Sequence, residues 1–254
     1  MDMMTTEQPD IESSTQDYAS RFSGPIGEWF LTVQEQGTER QISPLTTDPN
    51  QSLSILDAGG GHGQNIPWLV RNNHNITVLG SDKSCANLIQ SFLQNDEVQF
   101  ETGSLLSMPF IDQSYDVAIS YRMLPHLNHW RQHIAELCRV SRVRVVVDFP
   151  TLYSINYFSD LLFSLKKGIE KNTRPFTLFR EQDIVTEFAR HGFSPVHKYP
   201  QFLLPMALYR ALKKPKLAAM LEQLFRTSGL TQTFGSPVIY GFERNQQSVS
   251  ESTL

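Results

Sequence analysis

Ser54-Ile55-Leu56-Asp57-Ala58-Gly59-Gly60-Gly61-His62-Gly63 is the stretch on which the fold turns. An apolar run that stops at glycine reads as a buried strand, Ser54–Ala58, entering a sharp bend. Pro67 follows closely, so a short helix opens there and aims its first N–H groups toward the bend. Downstream, Ile76–Gly80 (ITVLG), Val98–Glu101, Tyr115–Ser120 (YDVAIS) and Val143–Phe149 (VRVVVDF) read as further strands, with Ser84–Gln94 as a helix. Near-continuous β-branched runs separated by helical segments predict a parallel sheet covered on both faces, joined by right-handed crossovers.

Upstream, Tyr18–Val33 (YASRFSGPIGEWFLTV) is an aromatic-rich lead-in, helical on either side of Gly24-Pro25. Residues 1–16 are rich in Ser, Thr, Asp, Glu and Gln without an apolar period, which predicts disorder. Beyond Pro150, Ile155–Lys167 and Glu181–His191 read as helices, the second closed by Gly192. Phe193–Tyr199 and Val238–Glu243 bring the strands to seven. Between those two lies Gln201–Gly235, read as two short helices, Pro205–Lys213 and Pro215–Arg226, each with proline in its first turn. The expected class is therefore α/β: a doubly wound, mostly parallel seven-stranded sheet with a helical insertion before the last strand. One domain over residues 17–245 is expected, with 201–235 as the insertion and 1–16 and 246–254 as tails.

Composition narrows the classes. The chain has 254 residues with 22 basic and 26 acidic side chains, a net charge of -4. A chain this long buries roughly 70% of its unfolded surface, so no disulfide or metal is needed to hold it. Cys85 and Cys138 are far apart and form no CxxC, which argues against a disulfide scaffold and a cysteine-rich zinc site and suits a reducing compartment. No run reaches the ~18 apolar residues of a membrane span. The opening MDMMTTEQPDIESSTQ lacks the basic and apolar regions of a secretory signal. The mildly acidic balance argues against a duplex-binding protein. A soluble cytoplasmic protein is expected.

The glycine bend carries the chemistry. In an open α/β sheet, ligands bind in the crevice at the carboxyl ends of the strands. The spacing is G-x-G-x-G, and a G-x-G-x-x-G reading from Gly59 meets Gln64 where the third glycine should stand. The G-x-x-x-x-G-K-[ST] phosphate loop is absent as well. Asp57 at the strand's end would repel a pyrophosphate and suits a cationic ligand. Asp82, ending the second strand, is placed to accept from a ribose diol. Ribose plus a positive centre without phosphate describes S-adenosylmethionine.

On these residues the chain resembles the class I S-adenosylmethionine-dependent methyltransferases, in the small-molecule branch that methylates quinones and sterols. The resemblance runs from Asp17 to Val196 and resumes at the last strand. It rests on ILDAGGGHG, on VLGSD, on ETGSLLSMPFIDQSYDVAISYRMLPHL and on RPFTLFREQDIVTEFARHGF. It implies a Rossmann-like fold with an antiparallel last strand. It also implies that Asp57, Gly59 and Gly61 hold the methionine part of the cofactor. Asp82 would hold the ribose and Lys83 flank the adenine; Ser104 and Leu105 would border that ring, and Tyr121 would sit beside the sulfonium. Two positions depart from the family: Ser104 stands where an acid is usual, and His62 replaces a small hydroxyl residue.

Methyl transfer asks mainly for alignment, because the sulfonium is already a good leaving group. An oxygen or carbon nucleophile additionally needs a base, for which His126 is the candidate; its plain reading is a helix-start histidine bonded to backbone. Arg122 reads either as a group orienting an acidic or phenolic substrate or as a solvated loop charge. His126, His129 and His133 share helical spacing but lack a fourth ligand, so no metal is expected. The insertion, with Lys213, Lys214 and Lys216 between apolar turns, reads first as packing over the sheet. Its other readings are a lid for a lipophilic methyl acceptor or, over 201–226, a peripheral contact with anionic membrane. Phe22, Trp29, Tyr153, Tyr157 and Phe202 suggest an apolar or aromatic acceptor. Two other classes stay open: a nicotinamide-dependent oxidoreductase, and a non-catalytic scaffold that keeps the fold.

Overall fold

The computed structural model describes residues 7–46, 48, 51–154 and 176–245. Three helices lead in: α1 (Pro9–Ser13), α2 (Gln16–Ser20) and α3 (Gly24–Ile42). Then come β1 (Ser54–Ala58), α4 (Ile66–Arg71), β2 (Asn75–Gly80), α5 (Gln90–Gln94), β3 (Gln99–Thr102), β4 (Tyr115–Ser120), α6 (Trp130–Val140) and β5 (Ser141–Phe149). The described chain closes with α7 (Glu181–Arg190), β6 (Phe193–Pro200), α8 (Met206–Leu212), α9 (Pro215–Thr227), α10 (Leu230–Phe234) and β7 (Val238–Arg244). The strands form one sheet in the order β3-β2-β1-β4-β5-β7-β6, parallel except for β7, which runs antiparallel to both neighbours.

The central strands are buried on both faces, which is why they read as unbroken apolar runs. Side chains alternate between two clusters. Ile55, Val117, Val146 and Ile239 face one cluster with Phe30, Val33 and Ile42 of α3. Leu56, Ala118, Val145, Val147 and Phe242 face the other with Ile134 and Leu137 of α6 and Phe188 of α7. The period of two puts Asp57 and Asp148 on the α3 side of the sheet, at its ligand-binding end.

Several boundaries differ from the sequence reading. The segment Ser84–Gln94 is mostly a 3-10 turn, Lys83–Ile89, with only one α-helical turn after it. The expected disordered tail is ordered from residue 9: α1 packs on the glycine bend with Asp10 buried, because that carboxylate accepts from Ser81 N–H (2.6 Å) and Ser81 Oγ (2.5 Å). Residues 1–6 and 246–254 and the expected helix at 155–167 lie outside the described residues. The insertion has a third helix, α10. Its packing is settled by aromatic pairs, Trp29 with Phe202 (5.3 Å) and Tyr209 (5.1 Å), and by Glu222. That buried carboxylate accepts from Tyr209 OH (2.6 Å), Thr231 Oγ1 (2.6 Å) and Leu203 N–H (3.1 Å), tying α8, α10 and the end of β6 to α9.

Candidate functional site

β1 delivers Asp57 into the interior, where it is fully buried. Its Oδ2 accepts from Asn65 Nδ2 at 3.2 Å; its Oδ1 is buried without a partner. Burial pushes this carboxyl up to about 7, against the opposing pull of Asn65 and the Arg122 charge. Gly59 follows at φ +80, where a Cβ would sit 2.5 Å from Met123 Sδ, so only glycine turns the chain here. At Gly61 a Cβ would meet the Cys85 carbonyl at 2.3 Å and Ser14 Oγ at 2.4 Å. The bend is thus clasped between α1 and the turn after β2. His62 is neutral, driven down to about 3 by burial and then by Arg122, and its Nδ1 accepts from Gln64 N–H at 3.1 Å.

At the end of β2, Asp82 is exposed and caps its 3-10 turn through Ser84 N–H (2.8 Å); hydrogen bonds with Ser84 hold it below the usual carboxylate range. Lys83 is exposed beside it. Ser104 Oγ accepts from Leu106 N–H at 3.1 Å, and Leu105 is fully buried. These positions follow the ends of β2 and β3. Tyr121 does not join them. Its ring is buried under α3 and its hydroxyl shares a 2.9 Å hydrogen bond with Thr38 Oγ1, because the alternation of β4 turns it toward that helix.

The next residue takes the central place. Arg122 adopts φ +63, and its guanidinium donates to Gln34 Oε1 and Gln64 Oε1 while lying 4.2 Å over the Phe22 ring. Gln34 Nε2 in turn donates to Asn65 Oδ1 (2.8 Å), which closes a network from α3 through the glycine bend to Asp57. The backbone N–H of Arg122 donates to Asp148 Oδ1 at the end of β5. Arg122 is therefore neither a solvated loop charge nor a free anion receptor.

Beside it lies a cavity of about 340 Å³, lined by aromatic and apolar residues including Tyr18, Phe149, Phe176 and Met206, with Arg122, His126, Asp148 and Ser236 as its polar members. His126 ends a 3-10 turn, Leu124–His126, and packs 5.6 Å from Phe176. Asp148 was not singled out in the sequence; burial lifts it to about 6. Trp29 and Phe202, expected in this pocket, are packed against each other instead; Phe22 lies under Arg122, Tyr153 is exposed, and Tyr157 lies outside the described residues. A strand ending in V-D-F before proline was the one available signal for Asp148.

The three histidines do not share a helical face, since α6 begins after His129. His129 binds Glu7, whose carboxylate also accepts the N–H of Asn128 (2.6 Å) and His129 (2.9 Å). His133 is buried, its Nδ1–H donating to the Leu105 carbonyl (2.9 Å) and its Nε2 lying 2.8 Å from Ser120 Oγ, so it braces β4 and the β3 loop. Burial holds its imidazole below the usual range. Among the described residues no three His, Cys, Asp or Glu side chains gather to hold a metal ion.

Residues 56–145 match a family model described as a methyltransferase domain. That match covers β1 through the first half of β5, the part of the sheet that carries the glycine bend. The chain's fold is similar to magnesium protoporphyrin IX methyltransferase from Synechocystis with bound S-adenosylhomocysteine: TM-score 0.62, 14% identity, 92% of this chain and 97% of the other. It is also similar to the [4+2]-cyclase SpnF: TM-score 0.58, 16% identity, 85% of this chain and 81% of that one. In sequence the chain is similar to the O-methyltransferase resE of Aspergillus sclerotiorum, 25% identical over 129 residues, 46% of this chain. The chain spans about half the length of that curated relative (48%).

Proposed function

We propose that this protein is an S-adenosylmethionine-dependent methyltransferase acting on a small, apolar or aromatic molecule. What carries the reading is the pairing of the glycine bend and its buried Asp57 with an apolar cavity on the other side of Arg122. The donor set fits the cofactor. Asp57 Oδ1 is a buried acceptor without a partner, suited to an ammonium or a bridging water. Asp82 offers its second oxygen to a diol at the mouth, with Lys83 alongside. Leu105 gives an apolar wall for a base, and Ser104 keeps a hydroxyl donor. Gly59 and Gly61 allow the bend that brings main chain near the ligand. Tyr121, turned under α3 onto Thr38, is left out of this set. Bound there, the cofactor supplies a methyl carbon on a sulfonium leaving group.

Within the cavity, His126 is the candidate base for the acceptor, and Tyr18, Phe149 and Phe176 exclude water from it. The insertion contributes Met206 and Ala207 to the same wall, which supports a lipophilic acceptor. Membrane contact through 201–226 is supported by Met220 (62% exposed) and Leu224 (61% exposed) on α9, next to Lys213, Lys214 and Lys216. No described helix is long and apolar enough to cross a membrane. Calorimetry against S-adenosylmethionine and NAD tests the central claim. Binding of the first is expected, with at least a tenfold loss in Asp82→Ala; binding of NAD alone would overturn it.

A further inference from the structure

Asp148 lies deep in the acceptor cavity, only 4% exposed, at the end of a central strand. One oxygen, Oδ1, accepts the Arg122 N–H; the other accepts no hydrogen bond from a described residue. With Asp148 on the cavity lining, that second oxygen can accept from a molecule bound there. Phe149, Pro150, Phe176, Pro205 and Pro237 give the cavity apolar walls, and the lining groups that carry donors, Tyr18, His126 and Ser236, have no described hydrogen bond to Asp148. The nearest cation is already engaged, because the Arg122 guanidinium is held by Gln34 and Gln64 and stacked on Phe22.

Two consequences follow from this arrangement. An anionic acceptor entering the cavity meets the Asp148 charge in a poorly solvated place, and among the described residues the one lining guanidinium, Arg122, is already held by Gln34 and Gln64. A neutral hydroxyl, in contrast, supplies the donor that Oδ2 lacks. We infer that Asp148 is the group that binds and deprotonates the methyl acceptor, and that the acceptor is a neutral aromatic hydroxyl compound rather than a carboxylate. This rests on the methyltransferase reading above and moves the base from His126 to Asp148. In the transfer, the acceptor's O–H proton passes to Asp148 Oδ2 while its oxygen forms the new O–CH3 bond. The carbon–sulfur bond of the donor breaks with its electron pair left on sulfur, and Asp148 then gives its proton to solvent. Nothing is oxidised or reduced.

The groups around this carboxyl are Arg122 and Tyr121 from the β4 end, Asp57 from β1, His126 from the 3-10 turn and Tyr18 from α2; β7 presents Ile239 in register. Burial lifts Asp148 to about 6, so it is mostly ionised at neutral pH and still basic enough to take a proton. The rate should therefore fall as pH drops through about 6.

The test compares 2-naphthol with 2-naphthoate, two flat probes of similar size. Equilibrium binding without cofactor, read by probe fluorescence, should favour the naphthol in the wild type. Asp148→Asn should bind naphthol at least tenfold more weakly and naphthoate more tightly. This opposite movement is one that a misfolded variant cannot produce. With cofactor present, methylation of naphthol should lose its acidic limb near pH 6 in Asp148→Asn, while calorimetric S-adenosylmethionine binding stays within twofold. A wild type that prefers naphthoate or fails to bind naphthol, or a variant in which both probes move together or not at all, overturns the inference. Failure of the wild type to bind S-adenosylmethionine instead removes the methyltransferase reading, and the probe preference still decides the acceptor.

Discussion

The two buried aspartates sit on the same face of the same sheet and differ in how they are built in. Asp57 is embedded in a contiguous motif: its glycines, His62 and Asn65 all lie within eight residues of it. Asp148 meets Arg122, 26 residues away, and a cavity whose walls come from the lead-in helices, the 3-10 turn at 124–126, residue 176 and the insertion. The first region is a local structure that a short sequence can encode. The second exists only after distant segments have converged. A binding bend for an invariant ligand can be local, whereas a pocket whose occupant varies is assembled from the parts of the fold that vary most.

The comparison can be broken at either end. The largest effect is expected from Asp57→Asn. A folded carboxyl near pH 7, raised from 3.8, contributes stability that is present below about pH 4 and is lost as pH rises through about 7. Relative to wild type, Asp57→Asn should therefore gain roughly 2–4 kcal/mol at pH 8 and nothing at pH 4, measured by urea unfolding across that range. His62 acts in the opposite sense, withdrawing stability as pH falls from about 6.5 toward 3. Its own pH slope should vanish in His62→Asn. If the Asp57 slope is missing, the carboxyl is not desolvated, and the contrast with Asp148 dissolves.

Next in size is Glu222→Ala, which leaves Tyr209, Thr231 and Leu203 without their shared acceptor. A loss of about 3 kcal/mol is expected by chemical denaturation, with the insertion exchanging its amide hydrogens first. Cofactor binding should hold, since the partners of Glu222 are Leu203, Tyr209 and Thr231 and none belongs to the glycine bend. Gly59→Ala should cost about 2 kcal/mol through its left-handed φ and the Met123 contact, and unlike Glu222→Ala it should also weaken S-adenosylmethionine in calorimetry. The smallest effect is expected from Thr38→Val, about 1 kcal/mol for the hydrogen bond to Tyr121 with cofactor affinity unchanged. A large loss of affinity there would return Tyr121 to the site.

What was legible follows the same division. The β-branched runs announced strands to within two residues, and Asp57, Gly59 and Asp82 stand where the bend and the second strand end required. Ordering of α1 was not legible, because a polar segment gains order only when its acids find donors; Glu7 and Asp10 find theirs at Asn128–His129 and Ser81. The three-histidine face misled because helical spacing was applied across a stretch that becomes a 3-10 turn and an extended link before α6.

Local physics alone was enough for the alternating layers, the turn at Gly59 and the sign of charge at its edge, since period, backbone freedom and formal charge are properties of neighbours along the chain. Folding in three dimensions decided which way Tyr121 faces, what Arg122 grips and that Asp148 lies in a pocket. Those outcomes depend on strand register and desolvation, and neither exists until segments separated by dozens of residues are pressed together.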